Sequence, residues 1–328
     1  MRPKENRLDR AQQLLVELTD SFHLNIVQAS DILDTVMQRI DERQNNPMGI
    51  IGLPTGFTGL DNITHGLHPG HLIILAARPS MGKTLLAMNI AEHVAIHEKK
   101  PIVIFSLEMN KEELLERSLS SVGNVDQDSI KKGSLSASDW EKISSLLPKY
   151  SNTKFFIEDY SGLRISDIRA KCRRIKREYG LSLVVVDYLT LVSGDGENET
   201  DRIGKISRAF KLLARDLNVP VLLISQLNRN LEARQDRRPT MADLRQSGSI
   251  EQDADLILFI YRDEVYNPAS AHKGLAELNI AKNRHGVLGT IYLSFNGKYC
   301  RFDNHNSAIP TISPPKSKVN SFQFQPSS

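Results

Sequence analysis

Leu72-Ile73-Ile74-Leu75-Ala76-Ala77-Arg78-Pro79-Ser80-Met81-Gly82-Lys83-Thr84 decides how this chain is read. An apolar, β-rich run gives way to a loop with Pro79 and Gly82, and LLAMNIAEHVA follows at helical period. A strand, a tight loop and a helix start are the context that a P-loop requires. Backbone N–H groups at such a helix start form a nest for phosphate oxygens. There Lys83 neutralises β- and γ-phosphate charge, and the Thr84 hydroxyl holds Mg²⁺. Ala77 stands where the strict pattern has Gly, and it serves provided its φ stays below zero.

Similar apolar runs lie on both sides: Ile102–Leu107, Phe155–Ile157, Leu183–Val186, Val221–Ser225, Leu256–Tyr261, Leu278–Ala281 and Ile291–Phe295. Helix-period segments separate the earlier ones, as at Thr84–His97, Lys111–Ser120, Ile165–Tyr179 and Ile203–Leu217. Alternating strands and helices predict an α/β fold, a mostly parallel twisted sheet with helices on both faces. The last runs follow one another with short connections, so they are predicted as antiparallel additions at one edge.

Several runs end in polar residues. In a parallel sheet the carboxyl ends of the strands border the ligand crevice. Glu108, just past the second run, is placed to orient and deprotonate a water. Asp187 ends Leu183-Val184-Val185-Val186, the arrangement by which a buried strand delivers a carboxylate to a Mg²⁺ shell. Gln226 ends Val221–Ser225, and its neutral amide can donate and accept, which suits a γ-phosphate sensor.

The balance of charge narrows the partners. Lys plus Arg number 42 and Asp plus Glu 39, a net charge of +3. Nucleic-acid contact must therefore come from local basic loops. Residues 228–249 supply Arg229, Arg234, Arg237, Arg238 and Arg245 without one aromatic, a composition for phosphate contact. The basic segment IRAKCRRIKREY instead reads as a crossover helix with a core stripe of Ile165, Ile168, Cys172, Ile175 and Tyr179. Residues 193–201 read as an acidic loop, and Trp140, after a cap at Ser138, as helix packing. Two cysteines make neither a disulfide framework nor a four-ligand zinc site. No secretory leader or membrane span is evident, so a cytoplasmic setting is expected.

Three regions follow: an N-terminal segment (1–49), a body (50–303) and a Pro/Ser/Asn-rich tail (304–328) predicted as disordered. In the first, Ala29, Ile32, Leu33, Val36, Met37 and Ile40 recur at helical spacing, with Ser30 as N-cap and Pro47 and Gly49 as the stop. The stripe suits either a helix packed on its own domain or one docking on a neighbouring subunit.

The segments AARPSMGKT, FSLEM, VVVDYL, ISQLNR and, most specifically, DLRQSGSIEQDADLILFIYRDEVY (243–266) closely resemble the ATPase domain of DnaB-type replicative DNA helicases. The resemblance implies a RecA-like P-loop fold in a hexameric ring. That ring uses ATP and Mg²⁺ to translocate 5′–3′ on single-stranded DNA and to unwind the duplex at a replication fork. It implies that Arg78, Ser80, Met81, Gly82, Lys83, Thr84 and Leu85 hold the nucleotide, with Thr84 and Asp187 at the metal. Glu108 becomes the catalytic carboxylate and Gln226 the γ-phosphate sensor. Lys282 and Arg284 match a lysine and an arginine finger reaching across the subunit interface. Arg245, Gln246 and Gly248 match the loop that faces DNA, Gln246 replacing a commoner Glu. A helicase loader is a further expected partner. The family's usual helical domain does not fit before Gly49, and Ile26–Gln44 resembles only its linker helix, which removes the expected seat for primase. The alternatives are a non-unwinding regulatory paralogue or fragment that assembles with a helicase, and a RecA-like recombinase, which the 243–266 segment disfavours.

Overall fold

Six apolar runs separated by helices become six parallel strands. The computed structural model describes residues 27–45, 49–189, 192 and 196–306. The strands are β1 (Leu72–Ala77), β2 (Ile102–Ser106), β3 (Phe155–Glu158), β4 (Leu183–Asp187), β5 (Val221–Gln226), β6 (Leu256–Tyr261), β7 (Leu275–Asn283), β8 (Gly289–Asn296) and β9 (Arg301–Asn304). They form one sheet in the order β3-β2-β4-β5-β1-β6-β7-β8-β9. β1 to β6 pair in parallel, and β7, β8 and β9 extend the β6 edge antiparallel.

The helices are α1 (Ala29–Gln44), α2 (Thr58–Thr64), α3 (Lys83–Glu92), α4 (Lys111–Gly123), α5 (Gln127–Lys132), α6 (Ala137–Ser151), α7 (Ile165–Tyr179), α8 (Glu199–Leu217), α9 (Gly248–Asp253) and α10 (Asp263–Tyr266). β1 is buried along its whole length because both faces of the sheet are covered. Leu72, Ile74 and Ala76 join one core layer, with Phe210 and Leu213 of α8. Ile73, Leu75 and Ala77 join the other, with Leu86 and Ile90 of α3. β1 lies between β5 and β6. The carboxyl ends of β1, β4, β5 and β6 therefore border one crevice.

Several local expectations change. α1 starts at Ala29, so Ser30 sits inside its first turn and is not the cap. Within the expected 84–97 helix, His93–His97 forms a π turn that closes α3. α6 is capped by Ser136 through a capping box with Asp139, two residues before the expected Ser138. That register leaves Trp140 58% exposed, so it is not helix packing. Glu199, Thr200 and Asp201 form the first turn of α8, capped by Asn198, and not part of a loop. β9, α2 and α5 are additions. On α7, Ile168 and Cys172 are buried as expected, while Tyr179 is exposed. Pro47, residues 193–195 and the tail from 307 onward lie outside the described residues. Among those described, no helix is long and apolar enough to cross a membrane.

The α1 stripe does not pack on its own domain. Ile32, Leu33, Val36, Met37 and Ile40 are 42–59% exposed. Covering them would be worth on the order of 5 kcal/mol before association costs.

One buried polar group gives the fold a pH dependence. Glu92 on α3 accepts from Asn89 Nδ2 at 3.1 Å and Ser121 Oγ at 2.8 Å, and its other oxygen has no partner. Burial pushes its carboxyl up to about 7. Below the ordinary Glu range folded and unfolded chains are both protonated. As pH rises from about 4.5 through 7, the unfolded chain ionises first, so stability is lost over that window. Glu92→Gln keeps an acceptor and cannot ionise. It is expected to raise Tm clearly at pH 8 and little at pH 4, as read by calorimetry. Equal effects at both pH values would contradict this.

Candidate nucleotide site and its distant basic pair

The phosphate-loop stretch folds as its composition demands. Ala77 ends β1 and keeps φ below zero, whereas Ser80 (φ 66°) and Gly82 (φ 96°) take the left-handed turns of the loop. A Cβ on Gly82 would lie 2.8 Å from the Phe302 ring, so both space and backbone require glycine. α3 starts at Lys83, and Lys83, Thr84 and Leu85 of its first turn, where backbone N–H groups lack helical partners, line a cavity. That cavity, about 350 Å³, is lined by Ser80, Gly82, Lys83, Thr84, Glu108 and Gln226 among others.

The neighbouring strand ends deliver the predicted side chains. The Ser106 hydroxyl donates to Met109 O at 2.7 Å, and the Met109 N–H donates back to Ser106 Oγ at 3.3 Å. This turn just past β2 sets Glu108 at the cavity, exposed. Asp187 ends β4 almost wholly buried, and Thr84 Oγ1 donates to its Oδ2 at 2.6 Å. Gln226 ends β5 as its one exposed residue.

Charge at the site is poised for a polyanion and a cation. Burial holds the Lys83 ammonium below its usual range, against the pull of Asp187 and Glu108. Its Nζ rests on Arg78 O at 3.3 Å. Burial raises the Asp187 carboxyl to about 6; the Thr84 hydrogen bond opposes this and the Glu108 charge adds to it. A buried carboxylate beside a hydroxyl is the kind of donor pair that would hold a hard divalent cation.

Two arginines of the cavity were missed in the sequence. Arg262, one residue past β6, donates to Ser80 O at 3.1 Å and to Glu264 Oε1 at 2.6 Å. Its guanidinium lies 3.4 Å over the centre of the Phe295 ring. The strand-end rule that picks out Asp187 also picks out Arg262. Arg117, in the middle of α4, lines the same cavity and carries no such signal. Conversely, the Arg78 side chain turns away: it is buried, donating to Leu227 O and Glu232 Oε1, each at 2.8 Å. Met81 is buried in the core, and Leu85 lines the cavity.

The structure does not bring Lys282 and Arg284 to this cavity. β7 runs antiparallel to β6, and Asn283 pairs with Leu256 at the amino end of β6. The pair therefore lies at the opposite end of the sheet. β1 has six residues, so the two ends are about 20 Å apart. There Lys282 Nζ donates to Glu251 O, and Arg284 Nη1 donates to Asp255 Oδ1 at 3.3 Å.

The arginine-rich segment is less free than its composition suggests. Arg234 donates to Asp243 Oδ2 at 2.7 Å, and Arg238 grips both oxygens of Glu277 at 2.7 Å. Arg237 lies 4.9 Å over the Tyr266 ring. These three brace the fold, and Arg229 stays exposed. The 241–247 backbone is a 3-10 turn leading into α9. The side chains of Arg245, Gln246 and Gly248 lie outside the described ones.

Comparisons with known proteins give the family and the fold. Residues 52–304 match the family model for the DnaB-like helicase C terminal domain. The replicative DNA helicase DnaB of Geobacillus stearothermophilus is 45% identical over 301 residues, 90% of this chain and 66% of that protein. The DnaB of Pasteurella multocida (strain Pm70) is 51% identical over 280 residues, 83% of this chain and 60% of that one. The chain thus spans about two thirds of the length of the curated relatives it matches. An ATPase domain solved on its own superposes with a TM-score of 0.81 at 38% identity, covering 86% of this chain and all of that one. A DnaB-like replicative helicase, solved in a study of its interactions with primase, gives 0.78 at 35% identity, covering 92% of this chain and 77% of that one.

Proposed function

The chain belongs to the DnaB-like helicase C-terminal domain family, and on that premise we propose that it is the ATP-hydrolysing motor of a hexameric replicative DNA helicase. The ring moves 5′–3′ on single-stranded DNA in the cytoplasm and unwinds duplex at the fork. One observation carries the reading: Lys83, Thr84–Asp187, Glu108 and Gln226 meet in one cleft while Arg284 sits at the far end of the same sheet.

In this reading the N–H groups at the start of α3 and the Lys83 ammonium bind the β- and γ-phosphates of ATP. Glu108 orients the attacking water and takes its proton. Gln226 hydrogen-bonds the γ-phosphate and reports its presence to the loop after β5. Thr84 and Asp187 would hold Mg²⁺, which would supply charge neutralisation for the phosphates. Arg262 braces the phosphate loop through Ser80 O. Lys282 and Arg284 serve the neighbouring subunit's nucleotide.

Residues 50–303 form the motor, residues 1–49 carry the docking helix, and residues 304–328 are a tail. DNA-stimulated ATPase, measured with mass in solution and strand displacement on a fork, tests the whole proposal. Turnover without displacement would leave a non-unwinding subunit instead.

Two variants test its parts. Arg245→Ala is expected to weaken single-stranded DNA binding for every sequence and to reduce the salt slope by about 1. A loss confined to particular sequences would make Arg245 a base reader. Deleting residues 1–44 is expected to dissociate the ring and to lower ATPase activity at low protein concentration. A truncated protein that remains hexameric with full turnover would remove α1 from the assembly.

A further inference from the structure

Arg284 is not a free surface cation. Its Nη1 donates to Asp255 Oδ1 at 3.3 Å, its Nη2 donates to Gln252 O, and its backbone N–H donates to Asp255 O at 2.9 Å. Three ties thus fasten it to residues 252–255. An arginine side chain has many rotamers, so a guanidinium without such ties would sample many positions. Five N–H donors leave spare ones after these bonds. The side chain remains 44% exposed, so it is anchored on one edge and open on the other.

The anchor is itself rigid. Asp255 is 3% exposed and sits just ahead of β6. Its Oδ2 accepts from the Leu72 N–H at 2.8 Å, at the first residue of β1. Its N–H donates to Leu72 O at 2.9 Å. The same Oδ2 accepts from Lys211 Nζ of α8 at 2.6 Å. Lys211 supplies a second positive charge, so the Asp255 carboxylate sits between two cations. Lys282 is tied to the same segment through Glu251 O. This segment is α9 and its exit, and it follows directly from residues 245–247.

We propose that Asp255 is a positioning residue for Arg284: a buried carboxylate of one subunit fixes the arginine that works on the next subunit's nucleotide. The proposal rests on the reading of Arg284 as a finger in trans, and the test separates the two.

The test uses the full chain with Asp255→Asn, which keeps the shape and the acceptor for Leu72 N–H but loses the charge. A displacement of about 1 Å at a reacting centre can cost about 10²-fold in rate, so kcat is expected to fall about 10²-fold with KM for ATP unchanged. Mixing with Lys83→Ala subunits should restore part of the rate, because their intact Asp255–Arg284 pair then serves an intact cleft. The double variant Asp255→Asn/Arg284→Ala should be no slower than Arg284→Ala alone. Normal turnover in Asp255→Asn overturns the proposal. So does a slow Asp255→Asn that mixing fails to restore while Arg284→Ala is restored, since the carboxylate then serves only its own subunit's fold. If Arg284→Ala itself is not restored, the trans reading falls and takes the proposal with it. Should Asp255→Asn fail to assemble, Asp255→Glu replaces it, keeping the charge but moving it by one methylene. The same trans-restorable loss is expected there, and a wild-type kcat overturns the proposal.

Discussion

Arg284→Ala is expected to bind ATP nearly normally and to hydrolyse it about 10³–10⁵-fold more slowly, the usual loss when a P-loop enzyme is deprived of its arginine finger. The sheet makes the argument. Within one chain, Lys83 and Arg284 are at opposite ends of strands about 20 Å long. An extended arginine side chain cannot bridge that distance, so Arg284 acts on its own subunit's nucleotide in no arrangement of this fold. Its effect on turnover must pass through a neighbour. A mixture of Arg284→Ala and Lys83→Ala subunits therefore regains some activity, because some interfaces pair an intact cleft with an intact arginine. Steady-state ATPase across mixing ratios measures this. A mixture no more active than its components would reduce Arg284 to a surface charge.

The second large effect separates binding from chemistry within the cleft. Lys83→Ala should abolish nucleotide binding, whereas Glu108→Gln should bind ATP as the parent does and scarcely turn it over. Lys83 is set at the phosphate loop, where it meets charge already present in the ground state. In the proposed mechanism Glu108 acts only on the attacking water, so its loss is expected in kcat and not in affinity. Binding of a fluorescent nucleotide alongside phosphate release distinguishes the two. Normal turnover in Glu108→Gln would remove it from the mechanism.

The sequence shows the parallel strands β1, β2, β4, β5 and β6 because they are buried on both faces and read as unbroken apolar runs, whereas β3, at the edge, is only half-buried. Chemistry placed at strand ends was legible for the same reason: a polar residue after such a run has nowhere to go but the crevice. Arg262 obeys this rule too, and was obscured only by lying inside a segment that stands out for its resemblance. β9 was not legible, because Arg301-Phe302-Asp303-Asn304 holds one apolar residue and gains its place by pairing with β8. Periodicity shows that a helix has an apolar face but not whether anything covers it, so the reading of Trp140 as helix packing failed and the α1 stripe stayed open between two readings. The arginine cluster misled for a different reason. Glu277, which holds Arg238, is 39 residues away and on another strand. Composition cannot reveal a partner that distant. Strand order, which separates Lys83 from Arg284, is likewise set by crossovers and not by any local pattern.

That separation has a consequence for counting. A heterologous contact repeated by rotation either closes or leaves two unlike ends. In an open arc of n subunits, n − 1 clefts face an arginine, one cleft faces solvent and one arginine faces nothing. Closure creates the last complete site without altering any subunit. On the proposed reading, turnover per subunit would report whether the circle is shut, and a ring opened to admit a strand would carry a silent cleft at its gap until it seals.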